Sequence, residues 1–465
     1  DGTLVKSDTL LDGLCALARL RPAMLLRIPV WLMGGKAGFK REVTAHAPLD
    51  ASFLPYNEAL VVYLREQAAA GRPLYLATGA DHALAERVAN HVGIFSGVFA
   101  SDGAINLTGA RKLRLLEERF GRGGFAYVGN SRADLPLLGV SAGAMLANPT
   151  TGLGGTLRRR KISVENVFED RAATGQSLWR AVRVHQWAKN VLIFLPLLLA
   201  HAMDTGKIFQ SLLAFLSFSM VASSTYIVND LLDISSDRSH ASKRRRPFAA
   251  GNLSVLSGVV LAAVLFGGGV AIALALTPRF MVWLLVYCAV TLAYSLYFKR
   301  VVIVDVIILS ALYTLRLLAG AAAAQVPISD WMAGFAIFFF FSLALVKRFS
   351  ELENLRAQGA APSNGRGYLV HDMEQLRAFG TASAFASVVV FSLYINNPEV
   401  RDLYRSPQRL WLLTPLLIWW LSRVWLRASR GQMNEDPVVF ALTDPASLVA
   451  GMLIFLIAIF ASLGH

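Results

Sequence analysis

Three aspartates spaced for one helical face lie near the end of the second long apolar stretch of the chain. The segment from Asn229 to Asp237 places Asp230, Asp233 and Asp237 three and four positions apart, and residues at that spacing share a face of an α-helix. Three like charges repel one another, so the arrangement calls for a cation. Carboxylate oxygens suit Mg²⁺, which usually joins one or two carboxylates to substrate phosphates. The spacing predicts a Mg²⁺-diphosphate site, with a solvated acidic helix end as the alternative.

A basic tail follows the acidic motif, from Lys243 to Arg246, and ends in Pro247. Its cations stand where a polyphosphate held by the metal would project. Positive residues of this kind are also retained on the cytoplasmic side of membranes. Both explanations remain open, and Lys243, Arg246 and Asn229 are candidate substrate contacts.

A second polar group accompanies the apolar stretch at 302–323. Asp305 and Arg316 lie inside it, about three helical turns apart. Charged side chains are costly inside a membrane helix and usually face a site or a cavity. We therefore expect Asp305 and Arg316 to serve catalysis, and a buried structural pair is the alternative. Tyr294 and Lys299, just before this stretch, are candidate substrate contacts.

A third polar patch surrounds Trp187, before the first apolar stretch. Its candidate substrate contacts are Arg183, Gln186, Lys189 and Asn190. The cations of the patch are suited to phosphate, whereas Trp187 is typical of an anchor at the membrane interface. Both roles remain open. Lys347, after a later apolar stretch, is a further candidate to hold a phosphate.

The chain that carries these residues has two contrasting parts. Of its 465 residues, 55% are hydrophobic and only 16% are charged, which is not the composition of a single soluble fold. The apolar runs begin near residue 188 and predict an all-α bundle of about nine membrane segments. These segments are expected near 190–204, 208–229, 254–276, 279–297, 302–323, 330–346, 376–395, 408–426 and 445–463.

The formal net charge of +14 is explained by the membrane. Lys and Arg cluster in short loops between the apolar segments, including a loop predicted to begin at Lys347, as on the cytoplasmic side of membrane proteins. We therefore expect a multi-pass protein of a bacterial-type inner membrane, with its N-terminal part and active site cytoplasmic, and no nucleic-acid partner. Cys15 and Cys288 are the two cysteines, too few for a disulfide framework or a thiolate metal site.

The N-terminal part alternates helix-like stretches with short strand-like runs at 74–77 and 125–128. This alternation predicts an α/β domain. We place that domain at 1–165, a linker at 166–177 and the membrane domain at 178–465.

The acidic motif Asn-Asp-x-x-Asp-x-x-x-Asp, followed by Arg-Pro, resembles that of the UbiA superfamily of intramembrane prenyltransferases. Three stretches resemble the branch of decaprenyl-phosphate phosphoribosyltransferase: Arg-x-x-Gln-Trp-x-Lys-Asn from Arg183, Arg-Pro-Phe-Ala-Ala-Gly to Gly251, and the helix from Asp305 to Arg316. Aromatic prenyltransferases of the superfamily carry a second Asp-x-x-x-Asp motif, whereas here Leu309 stands four residues after Asp305. Fewer carboxylates and more cations fit a donor with an extra phosphate.

This resemblance implies a Mg²⁺-dependent transferase that moves 5-phosphoribose from phosphoribosyl pyrophosphate to a polyprenyl phosphate and releases pyrophosphate. Asp230, Asp233 and Asp237 would hold the ion, which neutralises the leaving group. The polyprenyl phosphate would enter from the lipid and attack C1 of the ribose, and this anionic nucleophile needs no general base. Such an enzyme belongs to cell-envelope synthesis, and its oligomeric state, a homo-oligomer included, stays open.

Two other functions stay open at this point. One is a UbiA prenyltransferase that transfers a polyprenyl group from its diphosphate to an aromatic acceptor, against which the missing second Asp motif argues. The other is a transporter or scaffold. That function would have to explain three carboxylates beside a basic loop without bound phosphate, and the sequence shows no inverted repeat.

The N-terminal part resembles a different family, the haloacid-dehalogenase (HAD) phosphatases. Asp-Gly-Thr-Leu at the start is similar to the end of their Asp-x-Asp-Gly-Thr motif, so Asp1 would be the acid/base and the nucleophile would lie two residues upstream. Thr78, Lys112 and the segment from Asn130 to Asp134 follow in the family's order. The resemblance implies a Rossmann-like α/β fold with these residues in its site, although Asn130 replaces a carboxylate. The domain then either removes the 5-phosphate of the product or is inactive.

Overall fold

The computed structural model describes residues 1–357, 366–401, 404–433 and 437–462. The chain divides into two compact units, the first made of residues 1–182 and 226–262 and the second of 183–225 and 263–465. The acidic motif therefore belongs to the same unit as the N-terminal part. The domain limits drawn from composition stay predictions.

The first unit mixes helices with short parallel sheets. Its N-terminal helices are α1 Thr9–Leu20, α2 Ile28–Met33, α3 Gly35–His46, α4 Glu58–Ala69, α5 His82–Val92, α6 Ala110–Phe120, α7 Leu135–Leu138, α8 Leu153–Arg159 and α9 Thr174–Val182. Its strands are β1 Tyr75–Asp81, β2 Gly97–Ser101, β3 Ala126–Gly129, β4 Gly143–Ala147 and β5 Val164–Phe168. Strands β1 and β2 pair in parallel, and β4 pairs in parallel with both β3 and β5. Small parallel sheets joined through helices agree with the predicted α/β class.

Local sequence explains where key helices of this unit begin and end. The Asp8 side chain accepts from the backbone N–H groups of Leu10 and Leu11 and so caps α1. The Asp81 side chain caps α5 in the same way, and that helix ends at Gly93, whose φ of 75° suits glycine. The apolar sides of α1, α3 and α4 meet in one buried core. Helix α1 is thereby held at both its cap and its apolar face.

The rest of the chain is helical wherever it has regular structure in the described residues. Its helices are α10 Leu195–Leu199, α11 Thr205–Leu232, α12 Ile234–Arg238, α13 Val255–Leu274, α14 Pro278–Leu296, α15 Val304–Ala324, α16 Asp330–Ala357, α17 Met373–Asn396, α18 Pro398–Arg401, α19 Leu413–Ser429, α20 Pro437–Thr443 and α21 Pro445–Ser462. Helix α12 and the adjoining ends of α11 and α13 belong to the first unit.

Seven of the nine predicted membrane segments are confirmed as helices long and apolar enough to cross a membrane, within the described residues. The predicted segment at 190–204 is instead a 3₁₀ helix, Val184–Phe194, followed by the five residues of α10. The segment at 408–426 becomes α19, whose 17 residues span only about 25 Å against a hydrocarbon core of about 30 Å. Apolar composition alone did not reveal these breaks.

Helix α16 also differs from the prediction. A cytoplasmic loop was expected from Lys347 onward, but α16 continues through Lys347 and Arg348 to Ala357. The segment from Asn364 to Tyr368, predicted to close over a donor or to form an ordinary turn, begins with two residues outside the described ranges. The longer helix holds Lys347 and Arg348 in a regular backbone rather than in a loop.

The second unit packs its helices closely around α15 and α16. Two-thirds of the most apolar 18-residue stretch of α15 is buried, against 17% of the corresponding stretch of α21. Helix α15 is therefore central, and α21 presents an apolar surface outward. Gly380 of α17 lies against the Trp425 ring, and a Cβ there would come within 2.0 Å of a ring carbon. Glycine is required at 380 because two helices approach at that point.

Candidate functional site

The acidic motif lies where α11 gives way to α12. Asp233 separates the two helices, and backbone bonds from Asp233 to Asn229 and from Asp237 to Asp233 keep the turn nearly helical. Asp230 and Asp237 are both buried, at 2% and 3% exposure. One Nη atom of Arg246 contacts both carboxylates, at 2.9 Å from Asp230 and 2.8 Å from Asp237. The structure thus brings two of the three predicted aspartates together around one cation.

Asp233 has a different set of partners. Its Oδ1 lies 2.5 Å from an Nη atom of Arg19, in α1, and its Oδ2 accepts from the Asn229 amide at 3.3 Å. The three carboxylates therefore share two guanidinium groups. Arg19 was not predicted, because nothing in the local sequence of α1 indicates an acidic partner.

The carboxylates of Asp230 and Asp237 are chemically suited to a divalent cation. Among the described residues, no group of three or more His, Cys, Asp or Glu side chains is arranged to hold a metal. Mg²⁺, however, usually takes only one or two protein carboxylates and completes its shell with phosphate and water. Burial raises the pKa of the Asp237 carboxyl, and the charges of Asp230 and Asp233 add to the rise, while Arg246 opposes it. The pair gains from any cation that comes between its members.

The basic tail is placed partly as predicted. Lys243 lies in a short 3₁₀ helix, Lys243–Arg245, and Arg246 turns back onto the acidic pair. Phe248, two residues later, is fully buried and packs near Gly258, where a Cβ would meet its ring at 2.6 Å. This packing holds the backbone of the tail close to the motif. Contact of Lys243 with substrate stays a prediction.

Arg316 in the second unit is buried among polar and aromatic groups. Its Nε donates to Asn190 Oδ1 at 2.8 Å, and an Nη atom donates to the Tyr287 hydroxyl at 3.4 Å. Its guanidinium carbon lies within 5.4 Å of the ring centroids of Phe218, Tyr287 and Tyr313. Such aromatic faces stabilise a cation in a desolvated setting.

Asn190 contacts Arg316, and Lys189 lies near the Tyr313 ring that Arg316 also approaches, although the sequence separates both residues widely from Arg316. The Asn190 amide also donates to Ser219 at 2.9 Å, and Lys189 Nζ lies 6.0 Å from the Tyr313 ring centroid. One member of the predicted patch before the first apolar stretch, Asn190, thus contacts Arg316, and a second, Lys189, shares the Tyr313 ring with it. Their contact with phosphate stays a prediction.

Asp305 pairs with Arg348 rather than with Arg316. Its carboxylate accepts from Arg348 Nε at 2.6 Å and from the Tyr368 hydroxyl. Arg348 also donates to the Tyr294 hydroxyl at 3.1 Å and to both carboxylate oxygens of Glu351, at 2.9 and 2.8 Å. The Arg348 and Asp305 side chains are 2% and 0% exposed. This is a buried ion pair, the alternative considered for Asp305, but with a partner that the sequence interpretation missed.

The remaining predicted substrate contacts lie at the ends of helices or within them. Arg183 begins the Val184–Phe194 3₁₀ helix with a left-handed φ of 55°, and Gln186 lies within that helix. Lys299 belongs to a short 3₁₀ turn, and Lys347 lies in α16. All four side chains are partly buried, and their roles stay predictions.

A cavity of about 650 Å³ in the first unit gathers all five residues of the predicted phosphatase-like site. They are Asp1, Thr78, Lys112, Asn130 and Asp134. The Asp134 carboxylate accepts from the backbone N–H groups of Asn130 and Ser131, both at 3.1 Å, and lies 3.7 Å from Lys112 Nζ. The structure therefore unites residues that are separated by up to 133 positions in the sequence.

Electrostatics in this cavity favour the ionised carboxylate of Asp134. Burial alone would raise the pKa of Asp134, but Lys112 and the hydrogen bonds from the Asn130 and Ser131 backbones and the Tyr127 hydroxyl lower it overall. Burial lowers the pKa of Lys112. Lys40 lines the same cavity, donating to Asn106 Oδ1 at 2.9 Å. Lys40 and Tyr127 were not predicted.

Glycine at position 2 is required by the geometry of the cavity. Gly2 has a φ of +73°, and an added Cβ would lie 2.0 Å from the Asn130 amide nitrogen. The segment after Asp1 therefore passes directly over Asn130. The glycine that follows Asp1, which is part of the resemblance to HAD phosphatases, is thus required because a side chain at position 2 would collide with Asn130.

Comparison with known proteins identifies the family. Residues 190–444 match the model of the "UbiA prenyltransferase family", which is more than half of the chain. The chain belongs to this family and is an integral membrane protein of the transferase type.

Three relatives show how far the similarity extends. "Uncharacterized protein y4nM" of Sinorhizobium fredii is 38% identical, over 98% of this chain and 88% of its own. "Nodulation protein NoeC" of Azorhizobium caulinodans is 36% identical, over 58% of this chain and 88% of its own. "Decaprenyl-phosphate phosphoribosyltransferase" of Mycobacterium tuberculosis is 35% identical, over 46% of this chain and 72% of its own. The first relative shares both parts of the chain.

Proposed function

We propose that the chain transfers a 5-phosphoribosyl group from phosphoribosyl pyrophosphate to a polyprenyl phosphate. The observation that carries this proposal is the pair of buried carboxylates, Asp230 and Asp237, converging on Arg246 at 2.9 and 2.8 Å. The similarity to decaprenyl-phosphate phosphoribosyltransferase, at 35% identity, supports the choice of substrates. The proposal places the acidic motif and the N-terminal part on the cytoplasmic side of a bacterial-type inner membrane, where the soluble donor would be available.

The residues of the motif divide the work in this reaction. Asp230 and Asp237, with Asp233 beside them, would hold Mg²⁺, which when bound neutralises the charge that builds on the pyrophosphate. Arg246, 27% exposed, contributes a guanidinium suited to two phosphate oxygens. An oxygen of the polyprenyl phosphate forms the bond to C1 of the ribose as the C1–O bond to pyrophosphate breaks. The acceptor is already anionic, so no protein base has to take a proton.

Asp305 receives a structural role in this proposal. Its carboxylate is fully buried and satisfied by Arg348 and Tyr368, so that it links α15 to α16 and to the segment before α17 that carries Tyr368. Arg316 and Lys189 remain proposed phosphate contacts.

The test is a membrane assay with ribose-labelled phosphoribosyl pyrophosphate, polyprenyl phosphate and Mg²⁺. We expect label in the lipid fraction for the wild-type chain and its loss in Asp237→Asn. Asp204→Asn is the matched control, because Asp204 is 57% exposed and pairs only with nearby Lys207 among the described contacts. Label in the lipid fraction at equal rates with Asp237→Asn would refute the role of the motif.

The same membranes distinguish the alternatives. Transfer from a polyprenyl diphosphate to an aromatic acceptor, with none from phosphoribosyl pyrophosphate, would establish the ordinary prenyltransferase reaction instead. Membership of the UbiA family favours either transferase over a transporter or scaffold.

We further propose that the cavity of the first unit binds a phosphate monoester, as in HAD-like phosphatases. The specific observation is that Asp1, Thr78, Lys112, Asn130 and Asp134 line one cavity. A substrate on the same side of the membrane would be the 5-phosphate of the phosphoribosyl lipid. Incubating lipid product made from a donor labelled in its 5-phosphate with wild-type membranes and with Lys112→Gln membranes tests this. Phosphate release that is absent in the variant supports hydrolysis, whereas equal release in both refutes a role for the cavity.

A further inference from the structure

Helix α1 reaches the acidic motif through Arg19. One Nη atom of Arg19 lies 2.5 Å from Asp233 Oδ1 and donates to the Ser236 hydroxyl at 2.6 Å. The Arg19 and Asp233 side chains are 20% and 14% exposed, so this ion pair is accessible to small ligands. A residue near the start of the chain thus neutralises one carboxylate of the motif.

A second, buried contact holds α1 in this place. Arg238 of α12 lies 2.8 Å from Asp12 of α1, and the two side chains are 4% and 1% exposed. Arg238 also donates to the Ser7 hydroxyl and to the Ala249 carbonyl, each at 3.0 Å. Because α1 is fixed by this network, the position of Arg19 is set by the fold and not by one flexible side chain.

The charge balance of the motif gives Arg19 a specific consequence. Among the described contacts, the carboxylates of Asp230, Asp233 and Asp237 are paired with the guanidinium groups of Arg19 and Arg246. A divalent cation that binds here competes with Arg19 for the oxygens of Asp233 and is repelled by its charge. A diphosphate that follows the cation brings negative charge, for which a guanidinium is a strong partner.

We propose that Arg19 is a positioning residue of the acidic motif, which holds Asp233 before the substrate binds and contacts the diphosphate afterwards. The inference rests on the proposed function, since it takes a metal-diphosphate as the ligand. It assigns the N-terminal part a direct role in donor binding. Arg19 weakens the binding of the cation alone and strengthens the binding of the diphosphate.

These two effects have opposite signs, which a purely structural role does not produce. In Arg19→Gln we expect Mn²⁺ to bind more tightly, by roughly fivefold, and inorganic pyrophosphate at saturating Mn²⁺ to bind more weakly, on the order of tenfold. Arg19→Lys keeps the charge but loses the two-pronged geometry. It should leave Mn²⁺ affinity near that of the wild type and weaken pyrophosphate by less than the Gln variant.

The experiment measures binding on the intact chain in lipid nanodiscs, without turnover. Electron paramagnetic resonance follows free Mn²⁺, and titration calorimetry follows inorganic pyrophosphate. Arg21→Gln is the matched control, because Arg21 directly follows α1 and is exposed, and it should match the wild type in both titrations. Asp237→Asn defines the part of the Mn²⁺ signal that belongs to the motif.

The outcomes separate the inference from the proposed function. Opposite shifts in Arg19→Gln support the inference. Equal affinities in wild type and Arg19→Gln, or weakening of both ligands, overturn it and leave the proposed function standing. If wild type and Asp237→Asn bind Mn²⁺ alike, the metal role of the motif fails and the inference fails with it. If Arg19→Gln does not fold, as judged by thermal unfolding, Arg19→Lys replaces it. A pyrophosphate affinity of Arg19→Lys equal to that of the wild type would then overturn the inference.

Discussion

The acidic motif of the first unit and the Asp305–Arg348 pair of the second unit neutralise carboxylates in different ways. Around the motif the cations are accessible, with Arg19 20% and Arg246 27% exposed. In the second unit the Arg348 side chain is 2% exposed and Asp305 is fully buried. A guanidinium in reach of solvent can exchange its carboxylate for another ligand, whereas a buried one cannot leave without exposing a charge to an apolar interior.

This difference teaches that charge type alone does not distinguish the proposed site from the proposed structural pair. Both regions contain Asp and Arg near membrane helices, and the sequence predicts a functional site in each of them. The two regions differ in whether the guanidinium can exchange its carboxylate for another ligand. This depends on burial and on the number of hydrogen bonds that each ion already makes. Four changes test the contrast.

The largest effect is expected from Arg348→Met. Among the described residues, the variant leaves the buried Asp305 carboxylate with a hydrogen bond from the Tyr368 hydroxyl alone, at a cost of about 3–5 kcal/mol of unfolding free energy. Thermal unfolding in detergent measures it. Arg356→Gln, which removes an arginine 63% exposed in the same helix, should change stability by less than about 0.5 kcal/mol. Similar losses in the two variants would remove the contrast.

Asp230→Asn should act on the reaction and not on the fold. We expect the transfer rate to fall about 100-fold or more, because one of the two carboxylates facing Arg246 is lost. Stability should change by less than about 1 kcal/mol, since repulsion with Asp237 is relieved as the contact to Arg246 weakens. Initial rates and unfolding midpoints of the same preparation give both quantities. A collapse of the fold with Asp230→Asn would place the motif in the scaffold.

Asp444 is an intermediate case. Its carboxylate accepts from Arg423 at 2.7 and 3.0 Å, and the side chains are 6% and 19% exposed. The hydrogen bond from Arg423 is the main cause that lowers the pKa of Asp444 to about 2. The ionised Asp444 carboxylate therefore stabilises the fold at pH values above the ordinary pKa of an aspartate. This stabilisation is lost as the pH falls towards 2. Asp444→Asn should cost about 1–2 kcal/mol at neutral pH.

The pH profile of Asp444→Asn provides the check. Between pH 5 and pH 3 the wild type should lose stability relative to the variant, since only the wild type has this carboxylate to protonate. Parallel profiles would show that Arg423 contributes nothing to the fold through Asp444.

The smallest effect concerns protonation of Asp237. Burial raises the pKa of this carboxyl, so it takes up a proton at a higher pH than an ordinary aspartate. Its contribution to folding is full below the ordinary carboxyl pKa and is lost as the pH rises through the raised value. Metal binding has the opposite dependence, because a protonated carboxyl is a poor ligand.

Mn²⁺ titrations at pH 7 and pH 5 measure this effect. We expect a few-fold weaker affinity at pH 5 for the wild type, and a smaller change for Asp237→Asn. An equal change in both would assign the pH dependence to another group.

Local sequence determined several features of this protein. Apolar runs located seven membrane helices, and the spacing of Asp230, Asp233 and Asp237 located a motif near the end of one of them. The UbiA family, predicted from that motif, is confirmed by the match over 190–444. These features depend on helical period and composition, which neighbouring residues alone establish.

Tertiary structure decided which charges meet. Arg19 and Ser236 are 217 positions apart and Asp305 and Arg348 are 43 apart, and no periodic pattern connects such residues. The partners of a buried ion follow from packing, because the chain must satisfy each charge with whichever group the fold brings within reach. For that reason the sequence could indicate Asp305 as unusual, yet only the packing of α15 against α16 identified Arg348 as its partner.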